Sequence, residues 1–171
     1  MTYALCKHIK RLEIDDATTR IRFISAAAVL DISRRETTIG IRNSRPEQSN
    51  LVCRKLGRVK FAGYAKKTAV DTWVQVKSDT PSAQWLAKQY DESSTFEVTS
   101  ARNALDLARA GVARALLPTF VGDNVPGLAR VTNTVGELSH DQWLVTHPDD
   151  RHRTEVRSVL DGIYAIAKAL H

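Results

Sequence analysis

Three polar side chains, Thr99, Ser100 and Asn103, stand where a strand is predicted to end and a helix to begin. Apolar and polar residues alternate over 95–99, the period of a half-buried strand, and a helix is predicted from Ala101. The free N–H groups and positive end of such a helix, with hydroxyl and amide side chains, can hold a carboxylate. Ser and Thr at this position also act as ordinary helix caps. The turn therefore allows a ligand contact or a purely structural cap.

A second candidate is Arg42, at the end of the predicted strand 37–42. Its planar guanidinium suits bidentate binding of a carboxylate. Asn43 adds further donors in the polar loop that follows. The alternative is that both are exposed loop residues without a ligand.

The turn at Thr99 and Ser100 belongs to a predicted β-α-β unit over 96–118. Gly111 stands where a left-handed C-cap is expected, and the apolar run 112–117 is a strand that Pro118 ends. Open α/β sheets bind small ligands at the carboxyl ends of their strands. The unit therefore predicts a small-molecule site at the turn.

The other elements follow from apolar periodicity and turn formers. Strands alternate with helices, which predicts an α/β fold with largely parallel strands. The clearest helix has an apolar stripe over 156–170. The remaining predicted elements are a helix at 3–12, a strand at 20–25, a helix at 26–35, strands at 51–56 and 58–65 separated at Gly57, a strand at 73–77, a helix from 79–81 to 90, and strands at 128–132 and 142–146.

Composition indicates an ordinary soluble chain. It has 171 residues, 43% hydrophobic and 26% charged, and no apolar run approaches the roughly 20 residues of a membrane helix. No signal peptide is apparent, and Cys6 and Cys53 form no metal or disulfide signature. These features predict a cytoplasmic protein with free thiols.

Charge is unevenly distributed along the chain. Residues 1–67 carry 15 Lys and Arg against 6 Asp and Glu, an excess of positive charge that can indicate nucleic-acid binding. The basic residues alternate with apolar ones, as in 20–23 and 58–61, the pattern of a solvated strand face. We therefore expect a solvated surface rather than a DNA-binding one.

No motif for catalysis is present. His147 and His152 are separated by Pro148, which excludes the one-face geometry of a helical ligand pair. The neighbouring residues of 139–141 (Ser-His-Asp) do not form a nucleophile elbow, and no phosphate-binding glycine loop occurs. We predict no enzyme activity, no metal and no cofactor.

The order of motifs over 29–170 resembles a known family. The stretches are VLDISRRETTIGIRNSRPEQSNLVCRKLGRVKFAGYA, NALDLARAGVARALLPTFVGDNVPGLARV and DQWLVTHPDDRHRTEVRSVLDGI. In sequence and spacing together they are similar to the effector-binding domain of LysR-type transcriptional regulators. The resemblance implies a two-lobed α/β fold of the periplasmic-binding-protein type (type 2). Lobe I would comprise 1–62 and 132–171, and lobe II 63–131, with crossover strands near 61–65 and 128–132.

The resemblance also implies a small effector, such as an organic anion or amino acid, in the cleft between the lobes. It adds candidate contacts at Ser25, between a predicted strand and helix of lobe I, and at Thr119 and Phe120, after the Leu-Leu-Pro strand end. Ser25 is alternatively a helix cap and Phe120 a core residue. The full set of candidate contacts is Ser25, Arg42, Asn43, Thr99, Ser100, Asn103, Thr119 and Phe120.

The chain departs from the family pattern at its start. Nothing before Tyr3 can be the helix-turn-helix, and the first strand of the effector domain is absent, so the fold is expected to be truncated at its N-terminus. Expected partners are an effector and a second copy or an intact regulator, with DNA only through a separate helix-turn-helix domain and no membrane. An unpaired sheet edge predicts dimerisation or poor solubility. The alternatives are a solute-binding protein of a transport system and a non-functional regulator fragment.

Overall fold

A computed structural model describes residues 2–12, 19–24, 29–66, 70–90 and 96–170. The helices in these ranges are α1 (Thr2–Lys7), α2 (Pro81–Gln89), α3 (Ala101–Ala110), α4 (Thr119–Gly122) and α5 (Thr154–Leu170), with 3-10 turns at Ile9–Leu12 and Asp150–His152. The strands are β1 (Ile39–Arg42), β2 (Val52–Ala65), β3 (Val74–Val76), β4 (Phe96–Val98), β5 (Ala115–Pro118), β6 (Ala129–Arg130) and β7 (Val135–Thr146). In the described part of the chain, no helix is both long and apolar enough to cross a membrane.

The chain divides into two units. Unit 1 is Met1–Arg58 with His140–His171, and unit 2 is Val59–Ser139. The chain passes from one unit to the other within β2 and returns within β7. The second passage lies further along the chain than the crossover that the resemblance implied at 128–132.

In unit 1, β1 pairs antiparallel with β7, Ile39 opposite Thr146 and Arg42 opposite Trp143. The apolar stripe of α5 packs on the core, as its periodicity predicts, because side chains at helical spacing share one face. The buried core residues are Leu5, Leu12, Leu56, Leu144, Ile163, Ile166 and Ala167.

In unit 2, β2 pairs antiparallel with β5, from Phe61 opposite Pro118 to Tyr64 opposite Ala115. Separately, β3 and β4 pair in parallel. Small side chains let α3 lie close to these strands. The buried core residues are Ala62, Tyr64, Val74, Ala104, Ala108, Ala113, Ala115 and Leu117.

The boundaries predicted for α3 are confirmed. The helix begins at Ala101, and the Ser100 side chain accepts a hydrogen bond from the backbone N–H of Asn103. Gly111 ends the helix with φ 80°, a left-handed conformation in which a Cβ is costly. These ends were predictable because capping depends on residues adjacent in sequence.

Several local predictions were wrong. The predicted break at Gly57 is absent, because β2 runs unbroken from Val52 to Ala65. Residues 19–24 form no strand, and 3–12 is a short α-helix followed by a 3-10 turn. A helix was predicted at 26–35. Of the described residues in that range, 32–35 form a turn. Ser33 donates to Asp31 Oδ1 from both its N–H (2.8 Å) and its hydroxyl (2.6 Å), and such a side-chain acceptor competes with helical hydrogen bonds.

The predicted strand directions were also largely wrong. The registers of β1 with β7 and of β2 with β5 and β6 are antiparallel. Parallel pairing occurs between β3 and β4 and at the bridge between Trp73 and Arg114. The alternation of helices and strands does not determine which strands become neighbours, so it did not fix their directions.

Candidate functional site

The predicted strand-to-helix turn of unit 2 follows the carboxyl ends of two parallel strands. The N–H of Lys77, after β3, donates to the carbonyl of Val98 in β4 at 2.8 Å. Ser100 then caps α3 at 3.3 Å, so the capping interpretation is confirmed. Thr99 and Asn103 are exposed beside it.

The first turn of α3 contains no acidic residue. Free N–H groups at a helix N-terminus attract anions, and a carboxylate in that turn would compete for them. Arg102 adds a positive charge there and pairs with Asp106 at 3.4 Å. An anionic group at this turn would therefore meet no carboxylate in the first turn of the helix.

Thr119 and Phe120 also lie in unit 2, at the start of α4. Phe120 is 7% exposed, and its carbonyl accepts a hydrogen bond from Asn124 Nδ2 at 3.1 Å. Phe120 thus has the packing of a core residue, which was the alternative to a ligand contact.

In unit 1, Arg42 and Asn43 lie at the end of β1. Arg42 Nη2 donates to the carbonyl of Leu30 at 2.7 Å, which anchors the guanidinium. Among the described residues this is its one side-chain hydrogen bond, and a guanidinium has five N–H donors. The Oδ1 of Asn43 accepts from Gln142 Nε2 at 3.2 Å. Both side chains are therefore held by hydrogen bonds at the end of β1.

Gln142 is a residue that sequence analysis missed as part of this group. It is 6% exposed, and its Oε1 has no hydrogen-bond partner within the described part of the chain. A buried amide oxygen without a partner is costly, since it loses its hydration. The sequence feature that could have indicated it is a glutamine at the start of the mostly apolar run QWLVT.

Ser25 lies outside the described residues, and its role stays a prediction. For the residues that are described, no group of three or more His, Cys, Asp or Glu could hold a metal ion.

A polar network in unit 2 was also missed. The Tyr64 hydroxyl donates to Asp123 Oδ1 at 2.7 Å, and Arg130 donates to Asp123 Oδ2 at 2.7 Å. Burial and the bond to the Asp123 carboxylate raise the pKa of Tyr64 to about 12. The network connects β2, the segment after α4, and β6.

Unit 2 also contains a cavity of about 480 Å³ that we call the aromatic cavity. Trp73, Trp85 and Tyr90 line it, together with residues 132–137 and Leu116. Sequence analysis could not detect it, because the lining comes from segments far apart in the chain that only folding brings together.

Solved structures of LysR-type regulators match the chain. The regulatory domain of CrgA from Neisseria meningitidis aligns with a TM-score of 0.68 and 16% identity, over 95% of this chain and 93% of that one. The regulatory domain of MetR from N. meningitidis gives a TM-score of 0.65 and 11% identity, over 98% and 89%. LysG from Corynebacterium glutamicum with bound effector arginine gives a TM-score of 0.58 and 11% identity, over 80% of this chain.

The chain has the fold of a LysR regulatory domain. The resemblance seen in the motifs and the α/β class are thereby confirmed at the level of the fold, which in those domains is two-lobed and of the periplasmic-binding-protein type. The chain spans about half of full-length LysG, 53% of its length. No protein-family model and no curated protein matches the sequence.

Proposed function

We propose that this chain is the effector-binding regulatory domain of a LysR-type transcriptional regulator. The observation that carries the proposal is the structural alignment with the CrgA regulatory domain, which covers 95% of this chain and 93% of that domain. A chain that aligns with a regulatory domain over nearly its whole length shares the fold of that domain, which supports the proposal. Since one fold can host several functions, the chemistry must come from particular side chains.

The proposed effector is a small molecule with a carboxylate, such as an amino acid or an organic acid. The candidate donors are Arg42 and Asn43 at the end of β1 and Thr99 and Ser100 at the first turn of α3. Arg42 keeps N–H donors beyond the one bound to Leu30, and the first turn of α3 bears no acid. Arginine, the effector bound to LysG, belongs to the same chemical class.

Transcriptional control by this domain requires a DNA-binding part. In the proposal, that part is a helix-turn-helix, reached through oligomers with a second copy or an intact regulator. Effector binding shifts the population between two arrangements of the oligomer. Such a domain is not an enzyme, and it acts in the cytoplasm, where the DNA is.

The test is a thermal-shift screen of the purified chain against the twenty amino acids and a set of mono- and dicarboxylates. A ligand at about 100 times its Kd stabilises the folded state by about 2.7 kcal/mol, which raises the melting temperature by several degrees. We expect at least one carboxylate to produce a saturable rise. The matching amide or ester, which lacks the negative charge, should produce none.

Arg42→Lys then tests the contact. Lysine keeps the charge and loses the planar fork, so we expect weaker binding of the selected carboxylate with little loss of stability. Arg58→Lys is the matched control, because Arg58 is an exposed strand arginine of the same unit. Equal affinity in both variants would remove Arg42 from the proposed site.

A further inference from the structure

The aromatic cavity shares no lining residue with the predicted effector contacts, so a ligand bound there would be a different one. Its volume, about 480 Å³, lies within the roughly 300–1,000 Å³ typical of small-molecule sites.

The rings of the aromatic cavity are held in place by packing. Trp73 is 3% exposed, and its ring centroid lies 4.7 Å from that of Tyr90. A Cβ on Gly63 would lie 2.5 Å from the Trp73 ring and 2.9 Å from the Thr132 methyl group. The glycine therefore lets the indole lie directly against β2, and the aromatic wall is formed before any ligand arrives.

The carboxylate of Glu137 lines the aromatic cavity. Trp85 Nε1 donates to Glu137 Oε2 at 2.5 Å, which fixes the position of the Glu137 side chain. A carboxylate has about four acceptor positions, so this bond leaves others for a ligand. Glu137 is the sole charged residue among the described residues that line the cavity.

We infer that the aromatic cavity binds a small organic cation of the quaternary ammonium class. The faces of Trp and Tyr rings carry negative electrostatic potential and attract cations that shed water easily. Glu137 supplies the opposite charge at a fixed point. An anionic ligand would meet repulsion from both, so this site and the proposed carboxylate contacts select opposite charges.

The experiment is a titration of the intact chain with choline, followed by tryptophan fluorescence. The comparison ligand is the neutral carbon analogue of choline, in which carbon replaces the ammonium nitrogen at nearly the same shape. Sodium chloride at equal ionic strength controls for screening. We expect choline to bind saturably and the neutral analogue to bind about tenfold more weakly, the contribution of a cation over aromatic faces.

Glu137→Gln removes the charge and keeps an acceptor for Trp85, and we expect it to weaken choline binding about tenfold. Glu97→Gln is the matched control, because Glu97 is an exposed acid of the same unit outside the cavity lining. Unchanged choline affinity in Glu137→Gln, equal binding of the neutral analogue, or no choline binding by the unmodified chain would each overturn the inference. The comparison of the two ligands needs no variant, so it holds even if Glu137→Gln fails to fold.

Discussion

The hydroxyl of Tyr64 donates a 2.7 Å hydrogen bond to Asp123, and this bond closes the polar network of unit 2. Tyr64 is 1% exposed, and burial together with Asp123 raises its pKa from 10.0 to about 12. The folded state therefore holds the phenol proton more tightly than the unfolded state. The resulting stability is fully present below pH 10 and is lost as the pH rises from about 10 to about 12.

The first prediction is that tyrosinate absorbance contains a component near pH 12 that Tyr64→Phe removes. Asp123→Asn should move this component to lower pH, because the neutral amide no longer disfavours the phenolate. A component removed by Tyr64→Phe that titrates near pH 10 would contradict the burial and the hydrogen bond.

The second prediction concerns Gly122, in α4. A Cβ at this position would overlap the Tyr64 ring, which is fixed by the bond to Asp123. We expect Gly122→Ala to lower the free energy of unfolding by about 1–3 kcal/mol in urea denaturation followed by circular dichroism. Gly136→Ala is the control, since nothing lies within 4 Å of a Cβ there. Equal stability of the two variants would show that the ring is not packed on Gly122.

The third prediction concerns Arg35, which has φ 60° in the turn after Asp31. Its guanidinium pairs with the buried carboxylate of Asp150 at 2.9 Å. Arg35→Ala should lower the free energy of unfolding by about 1.5–3 kcal/mol, because it leaves a buried charge with fewer partners. Arg35→Gly should recover about 1 kcal/mol of that loss, because glycine adopts positive φ without strain.

The control for Arg35 is Arg34→Ala. Arg34 is 81% exposed at its side chain and pairs with Asp31 at 3.6 Å, so its removal should change stability by less than about 0.5 kcal/mol. If Arg35→Ala is as harmless as Arg34→Ala, the ion pair with Asp150 does not stabilise unit 1.

The fourth prediction separates the two roles of Ser100. Asp is as good an N-cap as Ser, so Ser100→Asp should keep the stability of α3 within about 0.5 kcal/mol. Its negative charge should nevertheless weaken binding of a carboxylate effector. Ser82→Asp, in the first turn of α2, is the matched control for added charge in unit 2. Unchanged effector affinity in Ser100→Asp would leave Ser100 as a cap alone.

The features that sequence predicted well are those governed by neighbouring residues. The start of α3 at Ala101 and its end at Gly111 follow from capping chemistry, and the buried stripe of α5 follows from helical period. The anion-binding character of the turn at Thr99 could be proposed on the same basis, but its use as a ligand site stays a prediction.

The features that sequence missed depend on distant partners. Gly57 was predicted to separate two strands but lies inside β2, because strand pairing holds the backbone extended. β7 begins at Val135, well before the apolar run at 142–146. The partner of Asn43 is Gln142, and Trp85 meets Glu137, contacts that join segments far apart in sequence.

We propose that the chain binds a carboxylate effector through Arg42, Asn43, Thr99 and Ser100. A backbone amide NMR titration of the isotope-labelled chain, with the carboxylate selected by thermal shift, tests this binding. We expect saturable shifts of the backbone amides at 42–43 and at 99–103. Saturable shifts confined to other residues, or no saturable binding of any amino acid or organic acid in the set, would contradict it.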